Sequence, residues 1–140
     1  MQPAPTTLRR TMAAIVMPAL LLPLLAGCGA AEASCEKTYE ELTLSVPGVI
    51  TADVTCVRRF GDERQGGTVT VEASTEKEAI AIMEDVLRAY AASPDLQHAE
   101  VPRFSFWSED STIGVGPDDL DFNGRASLRN IREHYGIEPE

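Results

Sequence analysis

A chain of 140 residues with a formal net charge of −10 has room for one domain and is too short for two. So acidic a surface repels nucleic acid and anionic lipid headgroups, which excludes those partners and leaves a solubilising exterior or a cationic partner. The apolar content is unexceptional, so a core needs neither metal nor many disulfides.

In chain order, Arg9 and Arg10 form a positive n-region, and an uncharged apolar run from Met12 ends at Leu25-Ala26-Gly27-Cys28. This is the layout of a secretory signal peptide. As a membrane span it is short, since about 20 apolar residues are needed, and Pro18 and Pro23 interrupt it. The tetrapeptide resembles the lipobox of bacterial lipoproteins. That resemblance implies a thioether diacylglycerol on Cys28, cleavage of residues 1–27, and a new N-terminus open to acylation. It covers the signal and Cys28 and is silent about activity. With arginine far outnumbering lysine and alanine plentiful, the chain looks like a small actinobacterial lipoprotein. The expectations are an extracytoplasmic, lipid-anchored protein of the cell membrane, with residues 28–36 a lipidated tether and 37–140 a single domain. Each buried CH₂ contributes about 0.8 kcal/mol, so two or three acyl chains hold where one does not. The arginine pair also admits twin-arginine export, which Thr11-Met12-Ala13 fits poorly.

Cys35 and Cys56 then face an oxidising exterior, where a structural disulfide is the default. A redox role would be better served by Cys-x-x-Cys, which the sequence lacks.

Leu42, Leu44 and Val46 alternate with polar residues and predict a first strand over 41–46, closed by the turn Pro47-Gly48. A second strand is expected from Val49 to about Phe60, a loop over Gly61–Gly67, and a third strand over Thr68–Ala73. Thr75 and Glu78 form a capping box for a helix from Glu76 to about Ala92, striped by Ala79, Met83, Val86, Leu87 and Tyr90. After the loop 95–100, Arg103–Ser108 is an aromatic strand paired in a hairpin with Thr112–Val115. Phe104 and Phe106 should face the core and Trp107 the opposite side. A second helix is expected from about Arg125 to Tyr135, with Gly136 at C′. The order β-β-β-α-β-β-α predicts an α+β fold, a single antiparallel sheet with two helices packed on one face.

Asp119, Asp121 and Asn123 in Asp119-Leu120-Asp121-Phe122-Asn123-Gly124 fit the opening of a calcium loop. The rest of that pattern fails, because position twelve is Asn130 rather than Glu and Leu120 and Phe122 are apolar. The alternative is a loop pinned by Leu120 and Phe122, with Asn123 or a neighbour capping the helix. His98 and His134 lack the companions of a zinc site, and the serines lack a nucleophile elbow, so no catalytic residue is assigned. Arg58-Arg59 reads as a solvated strand end or a contact to acidic wall polymer. Trp107 is the candidate for a binding face toward sugar or peptide. The expected role is a non-enzymatic binding module at the cell envelope, engaging an envelope protein or small ligand, with no cofactor beyond the lipid. The alternatives are an accessory subunit or small enzyme completed by a partner, and a weak calcium-binding module.

Overall fold

The computed structural model describes residues 27–59, 62–96, 103–122 and 126–138. Residues 1–26 of the predicted signal, His98 and Asn123 lie outside them. The fold is α+β, with three helices and a four-stranded mixed sheet. The elements are α1 (Gly27–Leu44), β1 (Val49–Arg59), β2 (Asp62–Val71), α2 (Glu76–Ala92), β3 (Arg103–Ser108), β4 (Gly114–Val115) and α3 (Leu128–Tyr135).

The first predicted strand is the end of α1. Cys35, Tyr39, Leu42, Thr43 and Val46 recur at helical spacing and pack on the core, while Leu44 is left exposed. The residues expected to form a tether are the first turns of the same helix. Glu32 and Glu36, one turn apart, reach the outer edge of β1, where their Oε1 atoms accept from Arg58 N at 3.0 Å and Cys56 N at 3.1 Å. Alternate N–H groups of an edge strand thus find partners, which blunts the edge against pairing with another chain. The Cys35–Cys56 disulfide fastens the two elements between those bonds.

The sheet order is β1-β2-β3-β4, with β1–β2 and β3–β4 antiparallel and β2–β3 parallel. The expectation of an all-antiparallel sheet is corrected here: α2 is a crossover that returns the chain, so β3 enters beside β2 in the same direction. β2 also begins earlier than expected, at Asp62. Gly66 and Gly67 sit inside the strand because a Cβ would lie 2.5 Å from Arg103 O at the first and 2.0 Å from Asp53 O at the second. Arg58 and Glu63, opposite each other in the hairpin, pair at 2.8 Å.

The capping box of α2 forms as expected, Glu78 N donating to Thr75 Oγ1 and Thr75 N to Glu78 Oε2, each at 3.2 Å. Its buried stripe is the predicted one, extended by Ala91. α3 starts later than expected and is capped by Ser127, whose Oγ accepts from Asn130 N. Gly136 takes the left-handed C-terminal position, with φ of 64°. Arg132 of α3 donates to Ala91 O in the last turn of α2 and to Ser93 O just beyond it, locking the two helices together. Phe104 and Phe106 point into the core beside Val69 and Val71, with Tyr39 and Tyr90 packed on Phe104.

Candidate functional site

Strand alternation divides the sheet into two chemically different faces. The row Ala52–Val69–Phe106–Val115 and the row Val54–Gly67–Phe104 belong to the core side. The reverse side carries the rows Thr51–Thr70–Trp107–Gly114, Asp53–Thr68–Ser105 and Thr55–Gly66–Arg103. It is a largely polar face, mostly of short side chains with Arg64 and Arg103 among them, from which one indole rises. Trp107 is 41% exposed while Phe106 beside it is fully buried, as the alternation predicts.

Gly114 is the floor beneath that indole. A Cβ at Gly114 would stand 2.6 Å from Trp107 Cζ3 and 2.8 Å from two further ring atoms. The ring therefore lies across β4, where a bare glycine opposite an aromatic residue lets it settle on the backbone. The β3–β4 turn holds this pairing in place. Asp110 Oδ1 accepts from Ser108 Oγ at 2.6 Å, Thr112 Oγ1 at 2.8 Å and Thr112 N at 3.1 Å. Ser108 Oγ in turn accepts from Ile113 N at 3.0 Å. The bonds from Ser108 and then Thr112 hold the Asp110 carboxyl below its ordinary value.

Beside the indole the described residues line a groove of about 610 Å³, whose walls include Arg103, Ser105, Trp107, Gly114, Pro117 and Asp118. Its size is that of a small-ligand site. Pro117 opens a single 3₁₀ turn, Pro117–Asp119, in which Asp119 Oδ2 accepts from Gly116 N at 2.7 Å. Asp119, which also lines the groove, is thereby engaged as a cap, whereas Asp118 is exposed at its wall. Among the described residues, neither the Arg103 guanidinium nor the Asp118 carboxylate forms a hydrogen bond or ion pair.

Of the other candidates, Cys35 and Cys56 are joined, their Cα atoms 6.1 Å apart. Cys28 lies in the first turn of α1. Asp121 is exposed, and Leu120 and Phe122 pack against the core cluster, pinning the loop. Among the described residues no three His, Cys, Asp or Glu side chains gather as a metal site. His134 stacks edge-on against Phe122 and Tyr135 at the end of α3. Among the described residues no helix is long and apolar enough to cross a membrane. Sequence reasoning found Trp107 and missed Gly114, Arg103 and Asp118. The signal for Gly114 was present, since it stands in a strand at a position where a side chain would be expected.

No protein-family model, curated protein or solved structure matches this chain.

Proposed function

We propose that this chain is a lipid-anchored extracytoplasmic lipoprotein whose domain is a non-enzymatic binding module, engaging its ligand in the groove beside Trp107. One observation carries the binding reading: a large indole stands exposed on the helix-free face, laid over Gly114, at the wall of a groove of about 610 Å³. Elsewhere on that face the strands offer mostly threonine, serine, aspartate and arginine, so the aromatic platform is an isolated feature among the described residues. Leu25-Ala26-Gly27-Cys28, with the arginines and apolar run before it, supports the anchor.

The test is photo-crosslinking in intact cells. A crosslinker at Ser105 within the groove should capture envelope material, and one at exposed Glu133 on α3 should not. Introducing Trp107→Ala should abolish the capture at Ser105. Equal yields from the two positions, or indifference to Trp107→Ala, would discard the binding face.

A further inference from the structure

Resting on that reading of the groove, we infer that its occupant is a neutral saccharide, one ring stacked on Trp107 and its hydroxyls held by Arg103 and Asp118.

Three features of the groove converge on this chemistry. The indole is seated flat on Gly114 and 41% exposed, so it presents a plane. A sugar ring answers such a plane with its C–H face, whose hydrogens meet the negative π-face of the indole. The ring's rim is polar and must be satisfied elsewhere. Along β3 from Trp107, the same face carries Ser105 and then Arg103, and Asp118 stands on the adjoining turn. A guanidinium donates and never accepts, and a carboxylate accepts and never donates. Vicinal hydroxyls do both, so a sugar edge can meet the two groups together, and both are without partners among the described residues. The third feature is charge. One cation, Arg103, and two carboxylates, Asp118 and the capping Asp119, wall the groove, and the whole chain carries −10, so a neutral ligand is suited and a polyanion is opposed.

A peptide is the competing occupant, and the edge geometry argues against it. Strand addition needs a length of free ladder. β4 is two residues long and, among the described residues, pairs only with Phe106 and Trp107. The open ladder beside the groove is thus the three residues Arg103–Ser105 of β3, a short stretch, and the adjoining Pro117 has no N–H to offer.

The experiment uses the full chain in a zwitterionic detergent, since glycoside detergents would compete. Trp107 is the chain's single tryptophan, so its emission reports the groove directly. It is titrated with chitotetraose and maltotetraose as neutral saccharides, with a hyaluronan tetrasaccharide as the anionic one, and with tetra-alanine. At least one neutral saccharide should shift the emission with a dissociation constant in the ~mM range. Calorimetry then reads the variants: Arg103→Gln and Asp118→Asn should each weaken binding about tenfold, and Trp107→Ala should remove it. Circular dichroism confirms that each variant folds. Silence from both neutral saccharides overturns the inference. Binding of tetra-alanine instead overturns it while sparing the proposed binding face. Unchanged saccharide affinity in folded Trp107→Ala sinks both.

Discussion

Tyr39 and Tyr90 meet edge to face with ring centroids 4.9 Å apart, yet their hydroxyls differ in partner. Thr43 Oγ1 donates to Tyr39 O at 2.6 Å, so it accepts from the Tyr90 hydroxyl. The Tyr39 hydroxyl is buried and has no partner among the described residues. Tyr90→Phe should therefore lose about 1 kcal/mol in a urea titration, whereas Tyr39→Phe should be neutral or stabilising, because it removes a buried polar atom that gains nothing. A pH dependence follows from the same burial. Desolvation pushes the phenols of Tyr39 and Tyr90 above the ordinary 10.0, and burial followed by the hydrogen bond to Glu84 does the same for Tyr135. These are all three tyrosines of the chain. The folded state holds them neutral, so their contribution is full below the ordinary value and is lost as pH rises through it toward the raised folded values. Phenolate absorbance should stay flat in the folded protein at about pH 10, while the urea midpoint begins to fall there. At the groove, Gly114→Ala should push the indole aside. Trp107 is exposed enough to swing away, so the stability cost stays below the ~1–3 kcal/mol of an overpacked core. The readout is a shifted emission maximum with unchanged circular dichroism.

At the scale of elements, α1 is bound to the sheet by one covalent link flanked by two carboxylate bonds. The bridge spans 21 residues of sequence, for which the chain-entropy account gives about 3 kcal/mol. Replacing Cys35 and Cys56 together by serine should lower stability by about that amount, and limited proteolysis should cut first within α1, where the Glu32 and Glu36 bonds are exposed or half-buried. This helix was the element least legible in the sequence. Leu42, Leu44 and Val46 mimic a strand because alternation and helical spacing are hard to tell apart over six residues. The stripe through Cys35, Tyr39, Leu42 and Thr43 resolves the ambiguity, but it depends on a half-buried cystine whose partner lies in another element and on a buried threonine, which counts as polar in a sequence pattern. α2 was legible because its capping box, apolar stripe and terminal Ser93-Pro94 agree. β2 was read short, since Gly66-Gly67 resembles a turn when seen locally. Those glycines serve close approach to β1 and β3, contacts made with residues distant in the chain. The parallel β2–β3 pairing was hidden for the same reason. The Trp107 face was legible from alternation alone, while the groove required knowing which strand Gly114 crosses.

For the whole molecule, the helices among the described residues leave one sheet face uncovered, and the proposed anchor decides how that face meets its surroundings. α1 is continuous from Gly27 to Leu44, so no flexible linker separates Cys28 from the domain. At 1.5 Å per residue, Cys28 and Cys35 are about 10 Å apart along the helix axis, and Cys35 is fixed to the sheet. A lipidated Cys28 would then hold the domain close to the bilayer instead of letting it roam. Two measurements check this. The mature N-terminal peptide should begin at Cys28 and carry the mass of diacylglycerol, and Cys28→Ala should lose it. On vesicles, a fluorescent residue at Ala30 should be quenched by a headgroup quencher more strongly than one at Glu41, since both positions are exposed and lie about 16 Å apart along α1. Equal quenching would mean that α1 lies along the membrane. An unmodified Cys28 with residues 1–27 retained would remove the anchor, and with it the reason to place the open sheet face outside the cell.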